Sequence, residues 1–331
     1  MKTGEEFKAC FERELLPELR KLEEKRKTIV KKIILLSLTI VIPLLVFAIP
    51  STLVYLSVEN EVCCFAGVFL PALIALAVWR FKFNEYRSEY VREFKREVMD
   101  KIVKFIDPNL NYHPDQGVSR QTFKSSRIFL DRVDRFSSED MVAGRIGKTL
   151  MHFSEMHALE KHETRDSKGR RHTHYETIFR GIFFTADFNK KFKGTTIVLP
   201  DTAEGMFGSV IGKALQSKNI LRPDLIKLED PEFEKYFVVY GDDQLEARYI
   251  LSTSLMARLT DFRKKTGRKI YISFNRENIM VAIPYKKNLF EPRLFKTILE
   301  YAPVEEYFKD LSLVVGIVED LNLNTRIWTK K

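Results

Sequence analysis

Six histidines fall between His113 and His174. Imidazole is the side chain best suited to metal ligation and to proton transfer near neutral pH. His152, His157 and His162 sit at spacings of five in a stretch that reads as a strand. Odd spacings alternate faces, so these three cannot converge on one ion. His172 and His174 share a face and could meet His162 or Glu160 across a hairpin. A zinc site with an open position needs three such ligands plus groups that orient them. His162, His172 and His174 are thus the candidate metal ligands, but no metal-ligand motif accompanies them. The expectation is exposed strand histidines, with no metal and no cofactor.

Other chemistry-bearing residues lead no further. Gly144-Arg145-Ile146-Gly147-Lys148-Thr149 superficially suggests a phosphate-binding loop. That loop needs a glycine five residues before the second one, and position 142 is valine. A bent or bulged strand is the simpler reading. Cys10, Cys63 and Cys64 form no CxxC pair, which argues against a disulfide framework or a thiolate metal site. Asp187, Asp201, Asp230, Asp242 and Asp243 are scattered acids, read as caps and turn formers. No GxSxG, HExxH or Cys–His arrangement is present, so no catalytic residue is assigned. Arg165, Lys168, Arg170 and Arg171, beside His172, make a basic hairpin tip. It could touch lipid headgroups or the acidic face of a partner, or it is a solvated loop.

The elements that must position these residues start with residues 33–79. Between Lys32 and Arg80 only Glu59 and Glu61 carry charge. A bilayer core about 30 Å thick needs roughly 20 apolar residues of helix. The run is read as two transmembrane helices, 33–49 and 62–79, with Pro50 ending the first. A first helix continuing to Val58 is the alternative partition. Lys25, Arg26, Lys27, Lys31 and Lys32 precede the run, and Arg80, Lys82 and Arg87 follow it. The loop between has no Lys or Arg, so the positive-inside rule puts both termini in the cytoplasm.

Residues 1–32 carry a helical stripe, Phe7, Phe11, Leu15, Leu19 and Leu22, interrupted by Pro17. Residues 80–106 carry a matching one, Phe83, Tyr86, Tyr90, Phe94, Val98 and Ile102. The two are expected to pair as a stalk below the membrane; lying flat on the leaflet is the alternative. Asp107-Pro108-Asn109 ends the second helix.

Residues 107–331 read as a cytoplasmic α+β domain with a mainly antiparallel sheet. Its expected strands are 142–162 and 172–187 as a long hairpin, 195–199, 236–240, and 269–274 with 278–284. Helices are expected over 202–217, 252–265 and 303–321, the middle one capped by Ser252 or Thr253 and stopped by Gly267. A bent sheet of pleckstrin-homology type is the suggested shape.

The formal net charge is +10. The partner that suits it is the anionic cytoplasmic leaflet. No helix-turn-helix, zinc-finger or RNA-binding signature points to nucleic acid. Four segments then resemble a known family. They are 181–190 (GIFFTADFNK), 228–237 (LEDPEFEKYF), 242–249 (DDQLEARY) and 319–328 (EDLNLNTRIW). Together they resemble the bacterial family called domain of unknown function 3137, over most of the chain. The resemblance implies a bacterial inner-membrane protein and carries over no catalytic residue. The function expected is a membrane-anchored binding or scaffold module with lipid and protein partners. A membrane-tethered enzyme acting on lipid or envelope substrates is the alternative. A channel is disfavoured because two spans with no internal ionisable residue offer no polar pathway unless the protein oligomerises.

Overall fold

The computed structural model describes residues 2–57, 61–167, 169–188, 190–201 and 222–324; side chains at 41, 43–45, 47–57 and 61–72 lie outside that description. The helix expected over 202–217, the side chains of Cys63 and Cys64, and Lys168 fall outside it too. The chain divides into a helical unit, Thr3–Lys101 with Glu291–Glu306, and a β unit, Ile102–Phe290 with Tyr307–Lys331 and the first two residues.

The helical unit begins at α1, Gly4–Cys10, with a reciprocal cap: Thr3 Oγ1 accepts from the Glu6 amide, and the Thr3 amide donates to Glu6 Oε2. A π-helical turn, Phe11–Leu15, leads into α2, Leu16–Ser57. Pro17 therefore does not split the helix, which runs on through it as the second residue of α2. The Leu16 amide reaches back to the Phe11 carbonyl, and the widened turn accommodates the ring. The next helix, α3, runs from Glu61 to Phe94, and a second π turn, Lys95–Met99, leads into α4, Asp100–Ile106.

Two expectations are overturned here. Pro50 does not end a helix at residue 49, since α2 continues to Ser57. Among the described residues no helix is long and apolar enough to cross a membrane, so the expected transmembrane hairpin is not supported. The apolar run is only part of each helix. Leu16–Lys32 of α2 and Arg80–Phe94 of α3 are dense in charges of both signs.

The two long helices are antiparallel, and their register is pinned at intervals. Glu18 pairs with Lys101 at 3.3 Å, and Lys25 with Glu93. Lys32 Nζ lies 5.6 Å from the Tyr86 ring centre, and Trp79 Nε1 donates to Ser37 Oγ at 3.0 Å. Each step along one helix is matched by a near-equal step back along the other. Phe7, Phe11, Leu15, Leu19 and Leu22 are buried, as are Tyr90, Phe94 and Val98. Exposed ion pairs set direction and register but contribute little stability; the buried stripes contribute most of it.

One ion pair in this unit is different. Glu23 is 3% exposed and receives both Nε and Nη2 of Arg26, at 2.9 and 2.7 Å. Arg26 Nη1 also donates to the Leu294 carbonyl, and Glu23 Oε2 accepts from the Ile298 amide. The pair thus ties the 291–306 segment to α2. The Arg26 guanidinium holds the Glu23 carboxyl below its ordinary range, against the opposing effect of burial.

Among the described residues the β unit has nine strands: β1 Leu110–His113, β2 Arg135–Ile146, β3 Thr149–Arg165, β4 Arg171–Asp187, β5 Thr195–Pro200, β6 Asp224–Ile226, β7 Phe237–Gly241, β8 Tyr271–Asn275 and β9 Asn278–Pro284. Their order is β1-β2-β3-β4-β9-β8-β5-β7-β6, and every pairing is antiparallel. The expected antiparallel α+β domain is correct. Among the described residues the order has two distinct ends, so the sheet they form is open rather than a closed barrel. The expected strand 142–162 is two strands, broken at Gly147-Lys148.

Short helices fill the connections: α5 Arg120–Ser125, α6 Pro231–Glu234, α7 Gln244–Ile250, α8 Thr253–Thr266, α9 Tyr301–Val315 and α10 Ile317–Asp320. As expected, Ser252 caps α8, and Gly267 follows it at φ 62°. One sheet face buries Met156, Ala158, Phe179, Phe183, Met280 and Ala282 with Phe123 of α5. The alternate residues Phe153, Ile182, Phe184, Val281 and Phe274 are buried on the other face.

Replacing Glu23 with Ala removes the carboxylate from a largely buried guanidinium, which keeps only its bond to the Leu294 carbonyl, and is expected to lower stability by about 3 kcal/mol in urea unfolding. Because the folded-state pKa of Glu23 is depressed, its contribution is complete above the unfolded value. It is lost as pH falls through the folded one. The gap between wild type and Glu23→Ala should therefore narrow in acid.

Candidate functional site

The longest strands of the sheet are mismatched with their neighbours, and this builds the site. β3 pairs with β2 only as far as Leu159, and β4 pairs with β9 only over Gly181–Asp187. Residues 160–165 and 171–176 pair with each other alone, as a two-stranded arm. Residues 171–177 are exposed. At the arm's base the register shifts between Ala158 and Leu159, so Ile178 is an extra residue in β4.

The sequence candidates all lie on this arm. His162 faces His174 directly, with ring centres 5.2 Å apart and planes 21° from parallel. His162 Nε2 is 3.3 Å from Glu176 and 3.5 Å from Glu160. His172 sits opposite Thr164 instead, and its Nε2 is 3.4 Å from Asp166 at the tip. The structure thus joins His162 with His174 and turns His172 to a different carboxylate. Among the described residues no group of three or more His, Cys, Asp or Glu is placed to hold a metal ion.

The basic tip is partly neutralised. Arg165 is opposite Arg171, whose guanidinium reaches Glu163 at 3.2 Å, and Arg170 reaches Asp166 at 3.3 Å. Lys161 and then Arg171 hold the Glu163 carboxyl below its ordinary range. Asp166 also accepts from the Arg170 amide, closing the turn over Gly169 at φ 75°.

At the base of the arm lies a groove of about 330 Å³. Its floor is aromatic: Phe129 is 5.0 Å from Phe179 and 5.3 Å from Tyr271, centre to centre. Thr177 and Ile178 of β4 form one wall, Pro284 and Tyr285 the other, with Arg180 and Lys286 at the rim. Arg268 stacks 4.0 Å over the Tyr285 ring, whose hydroxyl donates to Asp310. Burial pushes the Tyr285 and Tyr271 phenols up, so both stay protonated. Burial, and then the Arg180 charge, pushes His157 down; its Nε2 is 3.2 Å from Thr177 Oγ1. An aromatic floor with cationic rim groups can hold an apolar side chain and an anion side by side. Sequence reasoning missed this groove. Its lining comes from four separated segments, and no spacing links them.

Gly181 fixes the groove's geometry. It adopts φ 150°, and a Cβ there would lie 2.2 Å from the Ile283 carbonyl oxygen. Only glycine lets β9 come this close before Pro284 ends the pairing.

The remaining motifs are structural. The Gly144–Thr149 segment is a hairpin end, not a phosphate loop: Asn324 Oδ1 accepts from the Lys148 amide and Thr149 hydroxyl, both at 3.0 Å. Asp230 and Asp243 cap α6 and α7, as expected of them. Asp242 accepts from the Thr195 amide at 2.9 Å and pairs with Arg127, and Glu246 accepts from the Lys193 and Gly194 amides.

A Gly181→Ala substitution is expected to destabilise the β unit by about 1–3 kcal/mol. Thermal unfolding measures the loss; an unchanged midpoint would show that the close approach is not needed.

Comparison with curated proteins finds no match, and comparison with solved structures finds none either. Residues 177–323 match the family model described as Protein of unknown function (DUF3137), the family that the motifs resemble, over less of the chain than that resemblance implied.

Proposed function

We propose that this protein is a lipid-attached binding module: the helical unit holds it at a membrane surface, and the β unit presents a binding groove and arm. The observation that carries the reading is the apolar surface of the long helices. Ile34, Leu35, Leu38, Ile42 and Val46 of α2 are about half or more exposed, and so are Leu73, Ile74, Leu76, Val78 and Phe81 of α3. A water-facing helix normally leaves only scattered apolar side chains exposed, and a contiguous patch of this kind marks an interaction surface. Lys31, Lys32 and Arg80 are exposed at its edge. Apolar residues bordered by cations match the gradient from acyl chain to anionic headgroup, and each such cation adds about 1 kcal/mol near an anionic leaflet. The bacterial cytoplasmic leaflet is the surface that fits. The reading is attachment through this surface and includes no helix that crosses the bilayer.

The binding half rests on the groove's aromatic floor and the cationic groups at its rim.

Flotation tests the attachment. The full chain should rise with phosphatidylglycerol-containing vesicles and less with pure phosphatidylcholine, and added salt should weaken the first. Leu35→Glu with Leu76→Glu should leave it at the bottom of the gradient. Wild-type protein that never rises with vesicles would refute attachment.

A further inference from the structure

The backbone of β4 has one side without a strand. From Arg171 to Phe179 it pairs with β3, and among the described residues no strand pairs along its other side. The open edge is seven exposed residues long and continues into the groove at Thr177 and Ile178. β9 occupies that side only from Gly181 onward. It stops at Pro284, and the Tyr285 amide makes a last bond to the Arg180 carbonyl. Natural sheets cover or blunt such edges, because unpaired amides and carbonyls template a new strand.

We propose that this edge takes an extended acidic peptide from a partner protein as an added strand, in line with β9 and beyond Pro284. The proposal deepens the binding half of the reading above and rests on it, but not on membrane attachment. An added strand would gain main-chain hydrogen bonds from β4 and place alternate side chains on the sheet face that carries Phe129, Phe179 and Tyr271. An apolar side chain fills that floor. The neighbouring positions meet Arg180 and Lys286 at the rim, so the complementary residues there are Asp and Glu.

A second copy of this chain is the other strand that could dock. Antiparallel pairing of two β4 edges would bring the tip of one arm, with Arg165, Arg170 and Arg171, against Arg180 and Lys286 of the other copy. Like charges facing each other across strands are destabilising. The same cations that repel a copy attract an acidic segment.

The test uses the full chain without lipid and a fluorescein-labelled octapeptide alternating Glu with Val and Phe, read by anisotropy. Three changes should each weaken binding about tenfold or more. They are Lys for Glu in the peptide, N-methylation of alternate peptide amides, and Arg180→Glu with Lys286→Glu in the protein. The doubly substituted protein should instead prefer the Lys peptide, and its circular dichroism should match wild type. Equal binding of the N-methylated peptide would show that the edge is not used, and this arm needs no variant that folds. No binding of the Glu peptide, or self-association that blocks it, would also overturn the proposal. Because no vesicle is present, this result and the flotation result fail independently.

Discussion

The β unit depends on an inequality of strand length. β4 is long enough to pair with β3 throughout, while β9 accompanies it only from Gly181 to Asp187. Where three strands lie side by side, both faces are covered and residues 182–184 and 186 are buried. Where only two remain, side chains meet water and the hairpin becomes an arm. The groove sits at the change from one regime to the other. Bulged Ile178, Gly181 and Pro284 cluster there because a sheet that loses a strand must redirect its backbone.

The helical unit works on different terms. Its ion pairs and the Trp79–Ser37 bond sit at successive levels and hold two antiparallel helices in one register. Exposed pairs of this kind specify more than they stabilise. The Glu23–Arg26 pair is the exception, because burial raises the consequence of losing either partner. It also serves a segment nearly 270 residues away in sequence, through the Leu294 carbonyl and the Ile298 amide.

In three of the four segments that carry the family resemblance, described acids and one amide hold backbone. Asp230, Asp243, Glu246 and Asn324 each accept from main-chain amides at a helix start or a turn. A short acid or amide placed where an amide would otherwise be unsatisfied is under strong structural constraint. Such a signature identifies a fold and says little about activity. The groove's aromatic residues carry no such signature, although Thr177 to Arg180, Tyr271 and Tyr285 lie within the matched segment.

The sequence by itself determined the apolar helical stripes, the antiparallel α+β class, the β4 and β9 strands, and the Ser252 and Gly267 limits of α8. Each is a local signal: a period, a cap or a glycine past a helix end. It also put His172 and His174 on one face of a hairpin, within reach of His162 or Glu160, and the register of β3 and β4 then set His174 opposite His162. The tertiary structure decided what depends on distant residues meeting. It carried α2 through Pro50 to Ser57, where the local cost of a proline is set against the continuity of a 42-residue helix. It split 142–162 at Gly147-Lys148, where Asn324 closes the turn from far along the chain. And it assembled the groove from Phe129, Phe179, Tyr271 and Tyr285, which only the register of β4, β9 and β8 brings together.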